Sequence, residues 1–216
     1  MGAGRGFVLG LLRKDGEHMG KPQSRLLDER EYLEREAVAT ERREFVHGVA
    51  YAMAGAGERH NRIAGNLFFL LRTAARGTPC GVYVSDMKLR IAGAHAYYYP
   101  DVMASCEPAA PDAVFKEAPC FVAEVLSPST AAIDTREKLH AYRGIEALRY
   151  YLVADSERAS VAYYLRGDDG AWLAASLDPG ERLEIECGPL RAALTLAAIY
   201  EDTGLAVSQD GAQPRS

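Results

Sequence analysis

Hydrophobic positions recur along this chain with periods that change several times, and each change marks an element. Between Glu58 and Arg76, Ile63, Leu67, Leu70 and Leu71 fall at helical spacing with Arg59, Arg62, Arg72 and Arg76 between them, and Gly77 and Pro79 close the run. An amphipathic helix is predicted there. Three extended runs follow: Gly81 to Ile91, Tyr97 to Ser105 and Pro119 to Ser127. In the first, Val82 and Val84 alternate with polar neighbours, as in a half-buried strand; the third, from Phe121 to Leu126, is nearly all apolar, as in a central strand. A second helix from about Ala131 to Ile145, with Leu139 and Tyr142 three apart, leads to another buried strand, Leu148 to Ala154. The order helix, strand, strand, strand, helix, strand describes a meander joined to a crossover unit. That combination predicts an α/β architecture with a mixed sheet flanked by helices.

The flanks add smaller elements. Leu27 to Val38 suits a short surface helix, with Asp28 near its start as a favourable anion. Phe45 to Tyr51 is two short apolar runs around His47-Gly48, a hairpin signal because glycine supplies positive φ. Arg158 to Leu165 and Ala171 to Leu177 form a second predicted hairpin, and Leu194 to Tyr200 a closing helix. The Gly- and charge-rich stretch 1–24, where Met19 is a second candidate start, reads as a mobile leader, 25–205 as one domain and 206–216 as a flexible polar tail. With 216 residues, 48% of them hydrophobic and 25% charged, the chain can bury a core without disulfides or structural metal, and collagenous or disordered classes are excluded. No apolar run approaches the ~20 residues that span a bilayer, so no membrane partner is expected.

Charge changes this picture only locally. Acids outnumber bases, 30 to 25, so the whole molecule is not a basic nucleic-acid binder. Between Glu58 and Arg90, however, Arg59, Arg62, Arg72, Arg76, Lys88 and Arg90 face only Glu58 and Asp86, which permits a cationic face on an acidic protein. The four cysteines, Cys80, Cys106, Cys120 and Cys187, are far apart and form no C-x-x-C pair. They read as separate core thiols rather than a zinc or redox site, and a reducing cytoplasm is the expected compartment.

The candidate chemistry begins with Glu124, a carboxylate inside a central strand, where an unpaired charge costs several kcal/mol. A second acid, Asp101, follows Pro100 on a neighbouring run. Two such carboxylates can converge on one hard divalent cation, with a backbone carbonyl as a third oxygen ligand. Lys138 lies four residues after Asp134 in the next helix; the pair forms a surface ion pair, or the helix returns the lysine to the end of the Glu124 strand, where it can stabilise charge on a transferring phosphoryl group. Asp86 and Lys88 face the same cleft or solvent, since alternation fits either.

Several strings carry a resemblance: Tyr99-Pro100-Asp101-Val102; Ala123 to Thr130, which reads AEVLSPST; Asp134 with Glu137-Lys138 and Tyr142; and Arg149 to Val153. From about Leu33 to Tyr200 the chain resembles the Uma-two family of restriction endonucleases, itself similar to the PD-(D/E)XK nuclease superfamily, whose core has the order of elements given above. The resemblance implies a Mg²⁺- or Mn²⁺-dependent nuclease acting on nucleic acid, DNA in the first instance, as a homodimer. It assigns Asp101 and Glu124, with the carbonyl of Val125, to the metal. The usual lysine two positions after the second acid is here Leu126, so Lys138 would position the attacking water. Glu44, just before the hairpin, matches a family acid that would hold a second ion or its water, and His60 matches a frequent histidine. Arg59 and Arg62 would contact phosphates. His47 receives no catalytic role. The missing strand lysine keeps one alternative open, a catalytically inactive nuclease-fold homodimer serving as a binding or regulatory module.

Overall fold

The computed structural model describes residues 26–53, 55–126 and 134–207. The expected leader, most of the expected tail and the segment after Leu126 lie outside these residues. In chain order the elements are α1 (Glu29–Glu36), β1 (Arg43–Val46), β2 (Val49–Ala52), α2 (Glu58–Ala74), β3 (Gly81–Val84), β4 (Lys88–Ile91), β5 (Ala96–Tyr98), β6 (Val102–Ser105), β7 (Phe115–Lys116), β8 (Pro119–Leu126), α3 (Asp134–Arg143), β9 (Tyr150–Asp155), β10 (Val161–Arg166), β11 (Trp172–Ser176), β12 (Leu183–Cys187), β13 (Leu190–Leu194) and α4 (Leu196–Ile199).

The expected core is the centre of a six-stranded sheet in the order β11-β10-β9-β8-β6-β3. Its neighbours are antiparallel except β8 and β9, which run parallel because α3 provides the crossover between them. A five-stranded sheet, β2-β1-β5-β4-β7, and the isolated β12-β13 hairpin complete the fold. Both faces of the large sheet are covered. Phe121, Ala123 and Val125 of β8 pack toward Ile63, Leu67 and Leu71 of α2 and toward the β12-β13 hairpin. Val122 of β8 points the other way, into a second core with Tyr142 of α3 and with Leu89, Ile91 and Tyr98 of the five-stranded sheet. Burial on two sides explains why β8 reads as a continuous apolar run. No helix among the described residues is long and apolar enough to cross a membrane.

Local chemistry fixes the smaller elements. Asp28 caps α1, its Oδ1 accepting from the Glu31 amide at 2.7 Å. The β1-β2 turn places His47 and Gly48 at φ +47° and +90°, the pair of positive values that a two-residue hairpin uses. Gly48 also has no room for a side chain, since a Cβ there would meet the Cβ of Leu26 at 2.8 Å.

Two extended runs are broken where continuous strands were predicted. Ser85, at φ +50°, divides the first into β3 and β4, and Tyr99-Pro100-Asp101 divides the second into β5 and β6. Each half joins a different sheet, so the breaks carry the chain between layers. Proline has no N–H to offer a ladder, which suits it to the second break. The β12-β13 hairpin was not anticipated, although Leu183, Ile185 and Cys187 alternate as buried residues with exposed Glu184 and Glu186. The closing helix is the single turn α4, because Leu194 ends β13.

The expectation of separate thiols fails. Cys80 bonds to Cys106 and Cys120 to Cys187. Strands β3, β6 and β8 lie side by side in the sheet, and β12 packs beneath them, so residues remote in sequence meet at one end of the strands. A compartment inferred from free thiols therefore loses its support. The bonded cysteines are 26 and 67 residues apart, which for closed loops of that size corresponds to about 3.5 and about 4 kcal/mol. Reduction with dithiothreitol is expected to lower the urea midpoint markedly, and the Cys120→Ser/Cys187→Ser double variant to reproduce the larger part of that loss. An unchanged midpoint would show that the cysteines are not bonded in solution.

Candidate active site

The alternation of β8 puts Glu124 on the interior face shared with α3 and the five-stranded sheet, where it is 6% exposed. Two donors from α3 meet it. Lys138 and Tyr142 are four residues apart, on one face of the helix. The Tyr142 hydroxyl donates to Glu124 Oε1 at 2.6 Å, and Lys138 Nζ stands 3.4 Å from the same oxygen. Lys138, also 6% exposed, reaches Glu44 Oε1 of β1 at 2.9 Å. Burial is the largest influence on Glu124 and pushes its pKa up to about 8; the Lys138 charge opposes this, and the charges of Asp101 and Glu44 add to it. Burial, together with the neighbouring Glu124, raises the Tyr142 phenol well above its ordinary value, so its O–H remains a donor.

Asp101 sits in the break between β5 and β6. The last β6-β8 pair is Val102 with Ala123, and beyond it the Val125 amide donates to Asp101 Oδ2 at 2.7 Å. His60, near the start of α2, brings Nε2 to 3.2 Å from that same oxygen. Its pKa is raised, chiefly by this bond and against the effect of burial, with a further contribution from the Val125 backbone. Glu44 Oε1 accepts from the Tyr99 amide at 3.3 Å, so the strand break is tied to β1 as well.

The hydrogen bonds of the two central acids are one-sided. Those of Glu124 fall on Oε1 and those of Asp101 on Oδ2, while Glu124 Oε2 and Asp101 Oδ1 accept none among the described residues. Both acids line a cleft of about 1210 Å³ together with Glu44, His60, Val125 and Lys138. Two open carboxylate oxygens beside a backbone carbonyl are hard donors of the kind Mg²⁺ or Mn²⁺ takes. Among the described residues no three His, Cys, Asp or Glu side chains are grouped to hold a metal by themselves. The donor chemistry thus fits a divalent ion held by two side chains and completed by backbone and water.

Other expected residues distribute unevenly. Asp86 lies on the cleft rim in an ion pair with Arg42, whereas Lys88 lies over the Tyr99 ring, 5.3 Å from its centroid. Arg59 and Arg62 line a neighbouring smaller pocket at the start of α2. Each is engaged there by an acid, Arg59 with Glu157 at 3.3 Å and Arg62 with Glu58 at 2.9 Å. Asp134 begins α3, but its side chain lies outside the described residues. Lys138 is buried against Glu44 and Glu124, the inward of its two expected placements. Sequence reasoning missed Glu36, which is buried and accepts from the Arg43 amide and the Tyr99 hydroxyl, each at 2.9 Å, bracing β1 against the strand break. It also missed the bond from Tyr142, whose signal was its spacing of four from Lys138.

With this geometry established, comparison with known proteins is informative. The Uma2 family, described as "Putative restriction endonuclease", matches residues 30–197. Two uncharacterized proteins of Synechocystis sp. PCC 6803 are similar. The protein sll1609 is 40% identical over 166 residues, covering 76% of this chain and 93% of its own. The protein slr1290 is 35% identical over 161 residues, covering 74% and 85%. The crystal structure of "a putative nuclease belonging to DUF820" from Anabaena variabilis superposes with a TM-score of 0.62 at 13% identity, over 79% of this chain and 96% of that one. That likeness bears on the fold, which is nuclease-like. The family match spans most of the sequence, and the chain belongs to the Uma2 family.

Proposed function

We propose that this protein is an endonuclease that hydrolyses phosphodiester bonds of DNA with Mg²⁺ or Mn²⁺. The observation that carries the reading is the delivery of Lys138 from α3 to within 3.4 Å of Glu124, in a chain whose strand position two residues further on is Leu126. The family description and the fold of the Anabaena protein support the same class of reaction.

Asp101 and Glu124, with the Val125 carbonyl, would hold the ion through their open oxygens. When bound, it would polarise the phosphodiester and make a coordinated water more acidic. Lys138 orients the attacking water and offsets negative charge on the phosphoryl oxygens. Glu44 fixes the lysine, because its Oε1 already engages Lys138 Nζ and the Tyr99 amide. His60 holds Asp101 from the α2 side.

Labelled duplex DNA, single-stranded DNA and RNA, each incubated with Mg²⁺ or Mn²⁺, provide the test. Glu124→Gln is expected to abolish cleavage, and Lys138→Ala to lower it by about 100-fold or more. Leu126 also lines the cleft, so adding Leu126→Lys to the Lys138→Ala variant should restore part of the rate. Cleavage that persists in Glu124→Gln would overturn the assignment.

A second expectation follows from the buried acid. Burial holds the pKa of the folded Glu124 carboxyl above its ordinary 4.5, up to about 8. Across that window the native state binds more protons than the unfolded chain, so stability falls as pH rises. Urea midpoints of the metal-free wild type should therefore decline from pH 4.5 to pH 8, and those of Glu124→Gln should decline less. Parallel profiles would show that Glu124 is ionised throughout.

A further inference from the structure

We infer that Tyr142 is a positioning residue that selects which oxygen of Glu124 is offered to the divalent ion, an inference that rests on the nuclease reading above. Its hydroxyl donates to Oε1 at 2.6 Å, and Lys138 Nζ approaches the same atom at 3.4 Å. Both donors of α3 thus fall on one oxygen, and Oε2 accepts no hydrogen bond among the described residues. A carboxylate held in this way ligates through a single oxygen.

The ring that carries the hydroxyl is clamped. Tyr142 is fully buried, with Tyr98 edge-on at 5.6 Å on one side and Tyr151 edge-on at 5.1 Å on the other. Tyr151 stacks in turn on Tyr164 at 5.7 Å. A phenylalanine would fill the same space, so packing alone does not call for the hydroxyl. What the hydroxyl adds is a second donor to an oxygen that Lys138, already shared with Glu44, approaches at the longer distance. Without it, the carboxylate plane is free to turn and present both oxygens to the cleft.

The choice between one oxygen and two has a chemical signature. Mg²⁺ and Mn²⁺ favour six-coordinate sites built from single oxygens, whereas Ca²⁺ accepts bidentate carboxylates and more ligands. Partners that orient a ligand typically contribute 10- to 100-fold to metal affinity. Losing the Tyr142 hydroxyl is therefore expected to weaken Mn²⁺ by about 10-fold or more and Ca²⁺ by clearly less.

The experiment is calorimetric titration of Mn²⁺ alone and Ca²⁺ alone into the wild type, Tyr142→Phe and Tyr164→Phe, with near-ultraviolet circular dichroism to confirm the fold. Should Tyr142→Phe prove unstable, Tyr142→Met fills the site without a donor and takes its place. The expected result is a shift of the Mn²⁺ to Ca²⁺ affinity ratio toward Ca²⁺ in the Tyr142 variant, with Tyr164→Phe like the wild type. Unchanged affinities, or Mn²⁺ and Ca²⁺ weakened in parallel, would overturn the positioning role while leaving the nuclease reading intact. A wild type that takes up no Mn²⁺ would remove both.

Discussion

The arrangement of this molecule turns on one electrostatic constraint, a carboxylate carried on the buried face of a central strand. An isolated charge at Glu124 would cost several kcal/mol, and the surrounding structure reads as a response to that cost. Helix α3 supplies an ammonium and a phenol from positions four apart, and β1 supplies Glu44 to share the ammonium. The compensation is partial. Two acids share one lysine, the charge of Asp101 adds to theirs, and burial still raises the pKa of Glu124.

The geometry of the cluster depends on a second feature, the transfer of the chain between two sheets. The segment from β5 to β6 leaves one sheet and enters the other at Tyr99-Pro100-Asp101. Asp101 is therefore a side chain at a seam, where its carboxylate replaces a missing ladder partner for the Val125 amide. Glu36 and Glu44 fasten the same seam through the Tyr99 hydroxyl and amide. At the opposite end of β6 and β8, two disulfides tie the strands to one another and to the β12-β13 hairpin. The strands that carry the acids are thus fixed at both ends, a rigid platform of the kind on which small displacements of reacting groups are avoided.

Much of this was legible in the sequence. Periodicity and turn residues indicated α1, α2, α3, the apolar β8 and β9 and the β1-β2 and β10-β11 hairpins, because side-chain spacing reports directly which stripe or face is buried. Glu124 stood out because a charge in an apolar strand violates the same pattern; Asp101 followed from its place on a neighbouring run and Lys138 from the helix after the Glu124 strand, and the resemblance then gave them roles. The breaks at Ser85 and Pro100 were not legible: alternation continues across them, and only the competition between two sheets divides the runs. The Arg59 and Arg62 side chains illustrate the converse. The local excess of basic residues suggested phosphate contacts for them, and the fold sets an acid beside each, a pairing that net charge along the chain does not report.

The amino-acid sequence by itself determined the order of elements, the face each presents to a core and the presence of an acid where none should lie unpaired, since all of these depend on neighbours within a few residues. The tertiary structure alone decided which distant groups meet. It joined Cys80 to Cys106 and Cys120 to Cys187, turned Lys138 inward to Glu44 and Glu124, and placed the Tyr142 hydroxyl on one oxygen of the buried acid. The reason is physical: partners remote in the chain are selected by sheet order and layer packing, and neither leaves a periodic trace in the residues that meet.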